Sequence, residues 1–148
     1  MAQRKSPIET AVVDTMVFAY ALLGVTRYRE DAAAALESVG AIVVPDTFHS
    51  ELTNVVWQWL RAEKLAPEVG AECLRDAAAL IACVETAESL WERALALALD
   101  AQHPAYDMMF VAAAERFGSP LITYDKKLAR FFPELVMSPD ALAAGRLM

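Results

Sequence analysis

The sequence has few cysteines and no long hydrophobic run, and each of these features excludes a class of protein. Cys73 and Cys83 are the only cysteines, and their spacing fits no zinc motif, so we interpret them as small buried residues. The longest apolar run, residues 108–114, is shorter than the roughly 18 residues that a membrane helix needs. No apolar segment follows Arg4 and Lys5, so we expect no secretion signal, no membrane association and a cytoplasmic location.

Cationic side chains are also scarce. Lysine and arginine together number 13 against 20 aspartates and glutamates, which leaves a net charge of −7. Proteins that coat nucleic acids are typically basic, so the net charge argues against that class. It does not exclude a nuclease, because divalent ions at an acidic site cancel part of the charge.

The composition is that of a folded domain. The chain has 148 residues, of which 57% are hydrophobic and 22% charged. This length supports one hydrophobic core, and there is no internal repeat, low-complexity tract or linker. We therefore expect a single domain over residues 1–148.

Apolar periodicity predicts strands that alternate with helices. The predicted strands cover residues 9–13, 41–45, 81–85, 121–124 and 135–137. The predicted helices cover residues 15–23, 29–39, 47–64, 67–80, 88–99, 104–117 and 126–132, with a loop at 100–103. This alternation predicts βαβ crossovers and an α/β fold with a mostly parallel sheet.

Four acids fall where such a fold would bring them together. Asp14 and Asp125 directly follow predicted strands, whereas Glu51 and Asp107 lie in the first turns of predicted helices. Right-handed crossovers place the carboxyl ends of parallel strands at one edge of the sheet, where ligands bind. Each acid alone is also explained as a helix cap or a first-turn carboxylate. Together, however, four carboxylates at one edge repel each other unless a cation or a proton compensates.

A cluster of hard oxygen ligands suits Mg²⁺ or Mn²⁺. Two such ions about 4 Å apart can activate a water and stabilise both oxygens of an in-line displacement at phosphorus. The four acids therefore favour phosphodiester hydrolysis.

Four segments carry a resemblance to a known family. They are the Val-Val-Asp-Thr of residues 12–15, the Ser-Glu-Leu-Thr-Asn-Val of 50–55, residues 105–115, and residues 120–128 with Thr-Tyr-Asp. In order and spacing they resemble the PIN-domain ribonucleases, most closely VapC-type toxins of toxin–antitoxin pairs. The resemblance implies a three-layer α/β/α domain whose five-stranded sheet has the order 3-2-1-4-5.

The resemblance also implies a catalytic metal site. It makes Asp14, Glu51 and Asp107 direct ligands of Mg²⁺ or Mn²⁺, with Asp125 completing the site and Thr123 supporting it. Hydrolysis would then leave a 5′-phosphate and a 3′-hydroxyl on the RNA. Many members carry a small hydroxyl residue two places after the first acid, where this chain has Met16.

Substrate and partner sites are less distinctive in the sequence. Five basic residues are candidate RNA contacts, although ordinary solvated charges are an alternative: Arg27, Arg29, Lys126, Lys127 and Arg130. His49 and His103 lie close to acids in the sequence, and capping or surface roles suit them best.

A second apolar stripe on the third predicted helix, formed by Val56, Trp57 and Leu60, suggests a contact surface. It is either a protein-partner site or a face buried within the domain. The resemblance implies a homodimer and a small antitoxin protein as partners.

Other enzymes and modules with a similar first strand fit less well. A haloacid-dehalogenase-type phosphatase needs a second Asp at the position of Met16. A phosphoacceptor receiver domain needs an Asp after the third strand, where the chain has Glu85 and Thr86. The remaining alternative is a non-catalytic PIN-like interaction module.

Overall fold

The computed structural model describes residues 8–24 and 27–145. The strands are β1 (Ile8–Val13), β2 (Val39–Pro45), β3 (Ile81–Glu85), β4 (Leu121–Ile122) and β5 (Val136–Met137). The helices are α1 (Thr15–Leu23), α2 (Arg29–Glu37), α3 (Thr47–Glu63), α4 (Pro67–Leu80), α5 (Ala87–Ala101), α6 (Ala105–Phe117), α7 (Lys126–Phe131) and α8 (Pro139–Gly145).

The five strands form one parallel sheet of order β3-β2-β1-β4-β5, which confirms the predicted sheet. Strand β1 lies at its centre, and Ala11, Val12 and Val13 are fully buried there. Helices flank the sheet in two groups, α5 with α6 and α1 with α2, α3 and α4. No helix among the described residues is both long enough and apolar enough to span a membrane.

The junction of α2 and β2 differs from the prediction. Helix α2 ends at Glu37 and not at Val39, and Gly40 lies inside β2. The Ser38 hydroxyl donates a hydrogen bond to the Ala34 carbonyl at 2.7 Å. This bond gives a carbonyl of the last turn of α2 a side-chain partner. A Cβ on residue 40 would lie 2.8 Å from the Glu9 carbonyl oxygen, so this glycine permits close approach of the chain to β1.

Two other boundaries were predicted wrongly, and one helix was missed. Helix α5 continues through Asp100 and Ala101, residues that were assigned to a loop, and ends at Gln102 in the left-handed conformation at φ 51°. Strand β4 stops at Ile122, although the Thr123 backbone N–H still donates to the Met137 carbonyl of β5 at 3.1 Å. Helix α8 was not predicted at all.

The apolar stripe predicted on α3 serves mainly the domain's own packing. Val56 is buried and Leu60 half-buried, and both meet α4 at Gly70, where an added Cβ would lie 2.9 Å and 2.7 Å from them. Only Trp57 is exposed, and the Arg61 guanidinium lies 4.7 Å from its ring centre. The alternative of a face buried within the domain therefore holds for two of the three residues.

Helix α5 carries a different exposed apolar row. Leu90 and Ala94 point into the core, whereas Trp91, Leu95 and Leu99 are each more than half exposed. These three residues are four apart, so they lie along one face of the helix.

Candidate active site

Asp14 lies at the carboxyl end of the central strand. It is the N-cap of α1, and its Oδ1 accepts from the Thr15 backbone N–H at 2.7 Å. Its Oδ2 accepts from the Thr123 hydroxyl, also at 2.7 Å. Asp14 is therefore a helix cap, and it also lines the cleft at the end of the sheet. The two roles that the sequence suggested for it are compatible.

Thr123 connects two of the acids. Its side chain is buried, and its hydroxyl oxygen, while donating to Asp14, accepts from the Asp125 backbone N–H at 3.1 Å. Asp125 in turn caps α7 by accepting from the backbone N–H groups of Lys127 and Leu128. The connection after β4 is therefore fixed relative to the end of β1.

Glu51 is held by the residue that follows Asp14. It occupies the fifth position of α3, and its Oε2 accepts from the Thr15 hydroxyl at 2.8 Å. Thr15 is itself buried. Met16 borders the same cleft, and Thr15, its neighbour, supplies a hydroxyl to the acidic group.

Asp107 is the third residue of α6, with its side chain 44% exposed. The His103 Nε2 lies 3.7 Å from its Oδ2, although the imidazole is only 7% exposed. One ligand atom from each of His103, Asp107 and Asp125 lies within 4.8 Å of the others, a spacing that suits a shared metal ion. His103 therefore joins the acidic group, to which sequence reasoning had not assigned it; its only signal was its place four residues before Asp107.

All four predicted acids line one open cleft of about 450 Å³. Thr15, Met16, Asn54 and Val55 complete much of its wall, and Tyr20 and Tyr124 close one side. Asn54 was not predicted, although it follows Glu51 by three residues and so shares its helix face.

The cleft disfavours four negative charges. Burial, opposed by the hydrogen bonds from Thr123 and Thr15, raises the pKa of Asp14 to about 6, and the charges of Asp107 and Asp125 add to the rise. Burial also raises the pKa of Glu51 and, although His103 opposes it, that of Asp107. Such a group takes up protons or binds cations in order to relieve the repulsion.

The five predicted RNA contacts are less concentrated than the acids. Arg27 and Lys126 line a second cleft that adjoins the acidic one through Tyr20 and Tyr124. Arg29, Lys127 and Arg130 are exposed, and none lines either cleft.

Most of the chain matches a known family model and a known relative. A family model described as PIN domain matches residues 11–131, a span that includes all four acids. Ribonuclease VapC3 of Pyrobaculum aerophilum is 30% identical over 127 residues, which cover 84% of this chain and 96% of that protein.

Three solved structures share the fold. A crystal structure of PAE2754 from Pyrobaculum aerophilum matches with a TM-score of 0.67 and 17% identity over 95% of this chain and 96% of that one. A toxin–antitoxin complex from Klebsiella pneumoniae matches with a TM-score of 0.64 and 20% identity over 87% and 97%. VapBC2 from Rickettsia felis, bound to a DNA fragment from its promoter, matches with a TM-score of 0.60 and 13% identity over 87% and 98%.

Proposed function

Since this chain belongs to the PIN-domain family, we propose that it is a ribonuclease that hydrolyses RNA phosphodiester bonds, and that it is the toxin of a toxin–antitoxin pair. The observation that carries the proposal is the convergence of Asp14, Glu51, Asp107 and Asp125 in one open cleft, at the carboxyl end of the central strand β1. The 30% identity to Ribonuclease VapC3 supports the same activity.

The donor set fits a hard divalent cation. Carboxylate oxygens are the ligands that Mg²⁺ and Mn²⁺ prefer. Burial, with neighbouring carboxylates as a smaller cause, raises the pKa values of Asp14, Glu51 and Asp107, and a bound cation would favour their ionised forms. We propose that these three residues and Asp125 hold the ion, with His103 close enough to take part. When bound, the metal lowers the pKa of water and neutralises charge that develops on the phosphate.

The chain's own contribution is preorganisation. Thr123 and the Thr15 backbone fix both oxygens of Asp14, and the Thr15 hydroxyl fixes Glu51. The half-exposed Asp107 faces the cleft from α6, so its carboxylate is open to water and substrate. Carboxylates held in this way need little reorganisation during the reaction.

The first prediction is metal-dependent cleavage of RNA. A mixed single-stranded RNA substrate incubated with millimolar Mg²⁺ or Mn²⁺ should be cut, with 5′-phosphate and 3′-hydroxyl ends, and EDTA should stop the reaction. Gel electrophoresis and end-group mapping measure both outcomes. Cleavage that persists in EDTA would contradict the metal site. Saturable Mg²⁺ binding without cleavage of any RNA would instead favour the PIN-like interaction module.

We further propose two protein partners. A small antitoxin that covers the acidic cleft is consistent with the structural neighbours, one of which is a toxin–antitoxin complex and another VapBC2. The second partner is another copy of this chain, for which the exposed row Trp91, Leu95 and Leu99 on α5 is an apolar surface able to pair with itself about a two-fold axis.

The dimer is the second prediction. Light scattering at tens of micromolar should give twice the mass of one chain, and Leu95→Glu should give a monomer, because it would place a charge in an apolar interface. Ala96→Glu adds the same charge one position away, off the row, and should leave the dimer intact. A wild-type monomer at that concentration would rule out this surface as a stable homodimer interface.

A further inference from the structure

Three tyrosines from distant parts of the chain cluster beside the acidic cleft. The ring of Tyr20 on α1 lies 4.9 Å from that of Tyr28, just before α2, and 5.3 Å from that of Tyr124, just after β4. Tyr28 and Tyr124 lie 5.2 Å apart, and the Tyr124 hydroxyl donates to the Tyr28 carbonyl at 3.4 Å. All three are only half-buried.

The tyrosines border a cleft of about 640 Å³, here called the tyrosine cleft, which is lined by Tyr20, Tyr28, Tyr124, Arg27, Asp31, Lys126, Ala129, Ser138 and Asp140. This volume lies within the range of small-ligand sites. The tyrosine cleft is continuous with the acidic cleft, because Tyr20 and Tyr124 line both. Tyr124 lies between Thr123 and Asp125, so one end of the tyrosine cleft starts beside the proposed metal site.

The charges of the lining indicate which part of an RNA would enter. Two cations, Arg27 and Lys126, are balanced by two carboxylates, Asp31 and Asp140. A site for phosphate alone would carry a positive excess, and this lining does not. The Arg27 guanidinium lies 4.9 Å from the Tyr28 ring centre and donates to its hydroxyl at 2.7 Å, so part of its charge is directed at the aromatic group.

The aromatic faces of the three tyrosines form the apolar part of the lining. A neutral aromatic surface stacks with any base, whereas carboxylates at its edge accept hydrogen bonds from base N–H groups. The lining therefore suits a flat, uncharged base with N–H donors, while Arg27 and Lys126 suit the phosphates on either side.

We propose that the tyrosine cleft binds the base of a nucleotide adjacent to the scissile phosphate, stacked against the cluster of Tyr20, Tyr28 and Tyr124. The proposal rests on the ribonuclease function proposed above and adds a base-binding subsite to it. Single-stranded RNA would then be bound by two joined clefts. The scissile phosphate lies in the acidic cleft, and the neighbouring base lies in the tyrosine cleft. A duplex would not fit, because its bases are already stacked and paired.

The test combines a change in the RNA with a change in the protein. A single-stranded oligonucleotide cleaved at one position is made in versions that each lack one base, with the abasic site moved along the strand. For the wild-type protein, an abasic site at one position next to the cut should lower kcat/KM by roughly 5- to 150-fold. This is the effect of losing one base–aromatic stack. The Tyr28→Ala protein should cut intact RNA more slowly and lose most of this dependence on the abasic site.

Tyr28→Phe is the matched control, because it keeps the ring and removes only the hydroxyl. It should retain the wild-type dependence on the abasic site. General loss of folding in Tyr28→Ala would slow cleavage of all oligonucleotides equally, so it cannot imitate the expected loss of position dependence. An abasic penalty of equal size in wild type and Tyr28→Ala, or no position-specific penalty, would overturn the base-binding subsite. The cleft would then be better assigned to a protein segment.

Binding separates failure of this proposal from failure of the nuclease. The same oligonucleotides are titrated into Asp14→Asn protein with Mg²⁺, followed by fluorescence anisotropy, with and without Tyr28→Ala. Position-dependent and Tyr28-dependent binding without cleavage by wild type would support the tyrosine cleft and overturn the nuclease function. Normal cleavage with neither dependence would support the nuclease and overturn the cleft. Absence of both cleavage and binding would overturn both proposals.

Discussion

Asp14→Asn is expected to lower metal-dependent RNA cleavage by on the order of 10³-fold or more, because it removes the charge of the proposed central metal ligand. The substitution keeps the local geometry: the amide oxygen can still accept from the Thr15 backbone, and its NH₂ can donate to the Thr123 hydroxyl. The loss should therefore come from charge and metal binding and not from misfolding. Single-turnover cleavage with millimolar Mg²⁺ measures it.

The same variant is expected to be more stable than wild type when no metal is present. Burial raises the pKa of Asp14 to about 6, so at pH 8 the folded protein carries an ionised carboxylate that is less stable there than in the unfolded chain. Replacing it with a neutral amide should raise the free energy of unfolding by roughly 1–3 kcal/mol, the lower part of the range reflecting its partial solvent exposure. Urea unfolding in EDTA tests this.

Asp46→Asn is the matched control for both measurements. Asp46 also follows a parallel strand and precedes a helix, yet it is exposed, makes no capping hydrogen bond with its side chain and does not line the acidic cleft. It should leave cleavage within about two-fold and stability within about 0.5 kcal/mol of wild type. Equal activity in Asp14→Asn and wild type would show either that Asp14 is not a ligand or that the cleavage comes from a contaminant.

Without metal, stability is expected to fall as pH rises from about 4 to 7. The folded-state pKa of Asp14, about 6, exceeds its ordinary value of 3.8, so the folded state binds more protons than the unfolded state within this window. The raised pKa values of Glu51 and Asp107 act in the same direction. The stabilisation is thus fully present below the ordinary values and is lost as pH rises through the folded-state values.

Mg²⁺ should reverse this loss if, as proposed above, it binds the ionised carboxylates in the folded state only. A concentration 100 times the Kd adds about 2.7 kcal/mol, which for a domain of this size raises Tm by roughly 6–10 °C. The rise should be large at pH 8 and small at pH 5, where protons compete with the metal. Differential scanning fluorimetry across this range, with Asp14→Asn as the variant that responds weakly, measures it. Equal shifts at pH 5 and pH 8 would argue against binding at these carboxylates.

The sequence was informative where a property depends on neighbouring residues. The unbroken apolar run of β1 predicted a strand buried on both faces, and the residues after β1 and β4 predicted helix caps, which Asp14 and Asp125 both are. The four acids were expected to meet because crossover handedness places the ends of parallel strands together. The strand order itself followed only from the resemblance to a family, since periodicity records burial and not which strands pair.

Properties that depend on distant segments were decided by the tertiary structure. In the sequence Gly40 resembles the end of a helix, but in the structure it lies in β2, where the absence of a Cβ permits the close approach of the Glu9 carbonyl. The hydroxyl that holds Glu51 comes from Thr15, 36 residues away, and His103, four residues before Asp107, meets Asp125 only through tertiary packing. Neither contact leaves a periodic signal.

The tyrosine cleft shows the same division. Tyr20, Tyr28 and Tyr124 appear in the sequence as unrelated aromatic residues on three segments, and only their packing makes one surface. The sequence by itself determined that this is an α/β domain with acids at the ends of its strands, because strand burial and helix capping are local. The tertiary structure alone decided which hydroxyls orient those acids and which aromatic surface lies beside them, because such contacts arise only when separate elements pack together.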